Sequence, residues 1–158
     1  MKKNDGPCPP LPPGIKIING KTLNIPCPLC GGRMVLRDSR FGRFYACEHW
    51  AQTKCEGLIG CHPGTNVPLG FPADLATRTL RHQAHLAFDE HWKKMKVSRR
   101  NAYRLLRQVM GLTPEQAHIG QFTKEQCQRL LQIIGDGRFT ITHEMVKGNG
   151  RNQWPFSV

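Results

Sequence analysis

The segment Cys27-Pro28-Leu29-Cys30-Gly31-Gly32 restricts this chain more than any other stretch. Two thiols separated by two residues on a frame of proline and glycine project from one tight turn, whose backbone amides can donate to sulfur. The chain holds seven cysteines, an odd number, and residues 1–20 open with Lys2 and Lys3 but show no apolar run of the kind an export signal carries before the proline cluster. Thiolate ligation of a metal is therefore expected over disulfide pairing. A redox CxxC would want a βαβ context, which is not found here. Zinc favours four soft or borderline ligands in a tetrahedron, so a second pair must come from the far side of a hairpin. Sixteen residues lie between Cys30 and Cys47, a usual length for two strands and a loop in a zinc ribbon. Cys27, Cys30 and Cys47 are thus expected as ligands. Cys55 is expected as the fourth, although seven residues separate it from Cys47, against about two to five in a compact knuckle. Cys61, His49 and His62 are the alternatives.

The pattern around these cysteines implies an α+β chain, a small four-cysteine zinc ribbon built on a β-hairpin and followed by a helical domain of three to four helices. Residues 1–26, with Cys8-Pro9-Pro10-Leu11-Pro12-Pro13-Gly14, read as a flexible proline-rich arm that samples extended polyproline conformations. Residues 27–64 form the ribbon, its hairpin made of Arg33–Arg37 and Arg43–Ala46 around a turn at Asp38–Gly42. Residues 65–73 are an irregular connector, 74–135 the helical domain and 136–158 a tail without clear periodicity.

Within the helical domain, a first helix is expected from about Asp74 to Met95, burying Leu80, Ala84, Ala87, Phe88, His91 and Met95. Ser98 should cap a second, with Ala102, Leu105, Leu106, Val109 and Met110 inward and Gly111 past its end. Thr113-Pro114-Glu115-Gln116 has the form of a capping box opening a short third helix, and Thr123-Lys124-Glu125-Gln126 repeats it before the stripe Cys127, Leu130, Leu131 and Ile134.

The chain carries 23 Lys and Arg against 11 Asp and Glu, a formal charge of +12. Such a field attracts polyanions, and nucleic acid is the leading partner class, DNA ahead of RNA. No apolar run approaches the roughly 18 residues of a spanning helix, so no membrane partner is expected. The expected location is the cytoplasm, in a bacterial host cell. Lys93 to Arg107 contains seven basic residues and no acid. Arg100, Arg104 and Arg107 share a helical face opposite the apolar stripe, with Arg99 and Tyr103 beside them, an arrangement suited to phosphates. Arg33, Arg37, Arg40 and Arg43 form a second basic cluster on the hairpin, interleaved with aromatics. Phe44 is assigned mainly to the ribbon core, which leaves Phe41 and Tyr45 to stack on unpaired bases. His82, His85 and Asp89 share a face of the first helix, where a second metal could support hydrolysis; a plain His85–Asp89 hydrogen bond explains the same residues.

Cys-Pro-Leu-Cys-Gly-Gly-Arg-Met-Val-Leu-Arg, the Arg-Phe-Gly-Arg-Phe turn and Tyr45-Ala46-Cys47 with the later Cys55 resemble the four-cysteine ribbons at the C-terminus of bacterial type IA topoisomerases. That resemblance implies DNA binding, single strands included. The Cys47–Cys55 interval departs from the pattern. A longer resemblance runs through His62-Pro63-Gly64-Thr65, Pro68-Leu69-Gly70, Arg78, Arg81, Ala84-His85, Phe88-Asp89, Trp92, Ser98-Arg99, Ala102-Tyr103 and Ala117–Phe122. These residues are similar to a family of small zinc-finger-containing proteins of phages and prophages, which implies zinc and a viral setting without a reaction type. The resulting expectation is a zinc-containing nucleic-acid-binding protein that is not an enzyme. A phage factor that binds and modulates a host protein is the alternative, and a metal-dependent nuclease the third.

Overall fold

A computed structural model describes residues 8–139. Most of the expected tail, residues 140–158, lies outside the described residues, as do residues 1–7 of the arm. The architecture is α+β, with a sheet first and helices after it.

Five strands form one antiparallel meander in chain order: β1 Ile17–Ile18, β2 Thr22–Pro26, β3 Arg33–Ser39, β4 Gly42–Cys47 and β5 Leu58–Gly60. The expected hairpin is its centre, β3 and β4 pairing from Met34↔Cys47 to Ser39↔Gly42. Side chains alternate across a pleated strand. Met34, Tyr45 and Cys47 therefore face one side, where they pack with Ile15, Leu23, Cys27 and Ile59 in a small core.

The proline-rich arm is shorter than expected. Ile15 and Leu23 are buried against the sheet, and β1 and β2 extend it by two strands. Asn19 and Gly20, both at positive φ (53° and 67°), turn β1 into β2. Asn-Gly between apolar pairs is a strong local hairpin signal, and it lies in plain view in Ile17-Ile18-Asn19-Gly20. The proline cluster upstream masks it.

The helices are α1 Trp50–Thr53, α2 Leu75–Lys94, α3 Arg99–Met110 and α4 Lys124–Gly135. Caps define the long ones. Asp74 accepts from the Thr77 amide at 2.8 Å, and Ser98 accepts from the Asn101 amide at 3.2 Å. Thr123 and Gln126 form a reciprocal box, and Gly111 ends α3 in the left-handed region at φ 66°. Ala84, Phe88, Ala102, Leu105, Leu106, Met110, Cys127, Leu130 and Ile133 close a second core.

The helix expected after Thr113 does not form. Its capping box does, the Thr113 amide donating to Gln116 Oε1 at 3.0 Å and the Gln116 amide to Thr113 Oγ1 at 3.3 Å. The chain then makes a turn and a single 3-10 turn at Ile119–Gln121. One helical turn does not offset the cost of nucleation unless the chain on both sides of it is held in place. Gly120 is also held against the connector, its carbonyl accepting from the Phe71 amide at 3.0 Å. A Cβ on Gly70 would stand 2.1 Å from that same carbonyl oxygen, so backbone meets backbone there. Arg81 completes the joint, donating to the Phe71 carbonyl at 2.6 Å and the Phe122 carbonyl at 2.8 Å.

Candidate metal centre and basic surface

Two turns bring four sulfurs together at one end of the meander. The first lies between β2 and β3, where the Gly31 amide donates to the Cys27 carbonyl at 2.8 Å and the Cys27 amide to the Gly32 carbonyl at 2.7 Å. The second leaves β4 at Cys47 and returns at Cys55. Its seven intervening residues are accommodated by α1, a single helical turn closed by Lys54 in the left-handed region at φ 56°. The chain thereby loops out and comes back to within bonding reach of the metal.

The sulfur atoms of Cys27, Cys30, Cys47 and Cys55 all lie within 4.8 Å of one another. Cys27 and Cys55 are 3.6 Å apart and Cys30 and Cys47 3.3 Å. A tetrahedron with zinc–sulfur bonds of about 2.3 Å has edges of about 3.8 Å, so the spacing fits that ion. Gly57 reflects how closely the site is built, because a Cβ there would stand 2.3 Å from Cys27 Sγ. The chain thus carries a four-thiol zinc centre, and Cys61 and His62 are not among its donors.

Amide donors line this cluster. The His49 amide donates to Cys47 Sγ at 3.4 Å. A hydrogen bond from the Gly32 amide, with one from His49 second, draws the Cys30 thiol down to about 6, while burial pushes Cys47 up to about 12. At Cys55 a hydrogen bond from the Gly57 amide pulls downward, and burial with the neighbouring thiols outweighs it. Zinc binds the deprotonated thiols, so binding the metal releases protons from the cluster. His49 places Nδ1 3.4 Å from Cys30 Sγ and lies just outside the four sulfurs, an outer partner to the metal rather than a ligand.

The hairpin arginines divide into two pairs. Arg33 binds Glu48 at 2.8 Å, and Arg43 binds Asp38 at 3.2 Å and Asn66 Oδ1 at 2.7 Å, so both are engaged within the chain. Arg37 and Arg40 are exposed and have no acidic partner among the described residues. Phe41, at the hairpin tip, is 87% exposed, with the Arg40 guanidinium 4.8 Å from its ring centroid.

Tyr45 corrects the expectation drawn from sequence. It is 0% exposed, in the centre of the sheet core, and its hydroxyl donates to the Asn66 carbonyl at 2.7 Å, so its ring is closed to any ligand. Phe44, expected in the core, lies on the opposite face and is half-buried. Adjacent strand residues cannot share a face, and the pairing Leu36↔Tyr45 puts Tyr45 inward.

On α3, Arg99 and Arg100 are exposed and Arg104 and Arg107 half-buried. None pairs with an acid among the described residues. Tyr103 is shared between core and surface: one side meets Phe88 edge-on at 5.0 Å, and the Arg99 guanidinium lies 5.1 Å from its ring centroid.

The histidine-bearing face of α2 does not assemble a second metal site. Asp89 gives one oxygen to His85 at 3.2 Å and the other to the Trp92 indole at 2.9 Å. The four cysteines are the metal-binding group among the described residues. No helix among the described residues is long and apolar enough to cross a membrane.

Residues 23–137 match a family described as a zinc-finger-containing domain, DUF3268. No curated protein and no solved structure matches the chain.

Proposed function

Because the chain belongs to the DUF3268 family of zinc-finger-containing domains, we propose that it is a nucleic-acid-binding protein of phage or prophage type in which zinc shapes the contact surface. The observation that carries this reading is Phe41, an almost fully exposed ring at a hairpin tip with Arg40 against it and Arg37 on β3, the strand that leads into the tip. An exposed aromatic has a face for an unpaired base, and the adjacent guanidinium can follow the phosphates. The arginines of α3 supply further cations, and the charge of +12 attracts any polyanion from a distance. DNA stands ahead of RNA through the resemblance to topoisomerase ribbons. Hydrolysis has no support from α2, where both oxygens of Asp89 are engaged by neighbours.

Fluorescence anisotropy with labelled single-stranded and duplex oligonucleotides across a salt series tests this. Replacing Arg100, Arg104 and Arg107 with Gln should lower the slope of log K against log salt by roughly 2 to 3 on duplex. Phe41→Ala should weaken single-strand binding by about tenfold and duplex binding less. A parent protein that binds no nucleic acid at low salt would remove the reading and put a host-protein target in its place.

A further inference from the structure

The interval between the third and fourth zinc ligands holds more chain than a knuckle requires, and the excess forms α1. None of its residues is buried, so the turn adds nothing to either core. Trp50 nevertheless sits on it, 55% exposed, where water would be expected to exclude an indole from the surface. Lys54 closes the turn in the left-handed region at φ 56°, a conformation that favours glycine and strains a side chain. There its ammonium lies 5.1 Å from the Trp50 ring centroid. An exposed aromatic, a cation held on its face and a strained backbone residue coincide on a segment that contributes no buried side chain to either core.

From this coincidence we infer that Trp50 and Lys54 form a second binding site for single-stranded nucleic acid, at the zinc end of the sheet, the indole stacking on an unpaired base and the lysine meeting its phosphate. The inference rests on the nucleic-acid reading above. The site is distinct from the one around Phe41, since the β3–β4 hairpin carries Phe41 at its turn and the zinc ligand Cys47 at its other end. Five residue steps separate Ser39↔Gly42 from Met34↔Cys47, about 17 Å of strand. The metal has a direct part in this site, because Cys47 and Cys55 anchor the two ends of the loop that presents Trp50. A strand lying along the hairpin would meet a stacking residue at each end, with Arg37 between them. Net positive charge favours an anionic occupant over an apolar peptide.

The test uses the zinc-loaded full chain carrying Trp92→Phe and Trp154→Phe, which leaves Trp50 as the one tryptophan, and single-stranded oligothymidylate of about fifteen nucleotides. Tryptophan emission should be quenched in parallel with the anisotropy of the labelled oligonucleotide. Trp50→Ala should weaken single-strand binding about tenfold and duplex binding less. Lys54→Gly relieves the left-handed strain, so the protein should be at least as stable as the parent while its single-strand salt slope falls by about 0.7. If anisotropy reports binding while Trp50 emission stays constant and both variants bind as the parent does, this site is wrong and the proposed function stands. If the parent binds nothing at low salt, both fall.

Discussion

Gly57 shows how much of the metal site depends on single atoms. Its missing side chain is what lets Cys27 Sγ approach, since a Cβ would lie 2.3 Å from the sulfur. Gly57→Ala should therefore displace a ligand and reduce zinc affinity by about tenfold or more, the range found when the partners of a metal ligand are altered. Competition with a chromophoric chelator measures this. Parent-like affinity would mean the loop yields without moving Cys27. The same scale separates Tyr45 from Phe44. Both are aromatic and adjacent, and composition treats them alike; a one-residue difference in strand parity sends one to the core and the other to the opposite face.

At the scale of elements, Asp74 does two jobs. It caps α2 through the Thr77 amide and lies 3.4 Å from Lys124 at the start of α4, tying two helix ends together. Hydrogen bonding to Thr77 foremost, with Lys124 assisting, holds its carboxyl below the usual range. A carboxyl depressed in the folded state adds stability above its unfolded value, near about 4, and that stability is lost as pH falls through the folded value. Asp74→Ala should cost about 1 kcal/mol at pH 7, and the gap between parent and variant should narrow below about pH 4. Urea denaturation followed on the helices at pH 7 and pH 3 gives the comparison. An equal gap at both values would assign the effect to helix propensity instead.

At the scale of the whole molecule, two cores of unequal strength stand side by side. The sheet core rests on Ile15, Leu23, Met34, Tyr45 and Ile59 with two of the zinc ligands among them, whereas the helical core is wholly apolar and larger. A module that small is held by its metal, because so little buried surface cannot offset the entropy of the chain. Zinc removal with a strong chelator should collapse the dispersed amide signals of the sheet while much of the helical circular dichroism at 222 nm survives. Retention of both would show that the apolar residues suffice. Arg81 ties the connector to the helices through the Phe71 and Phe122 carbonyls, and the Phe71 side chain packs on the sheet core.

The α+β order, the four ligands, the two long capped helices α2 and α3 and the final helix α4 were legible in the sequence, because each is specified by spacing within a short window: CxxC, a cap followed by a 3.6 period, glycine at a helix end. The identity of the fourth ligand was less so, since α1 had to fold the long interval back onto the metal. Three things belonged to tertiary structure alone. Strand β5 is three residues long and takes its stability from β4, the neighbour it pairs with. The capping box at Thr113 makes its hydrogen bonds without a helix, because Gly120 is claimed by the connector. Which cations are paired and which rings are buried followed from partners distant in the chain: Glu48 for Arg33, Asn66 for Arg43 and Tyr45. Local residue pattern sets what an element is, and only packing decides which of its side chains remain free to bind.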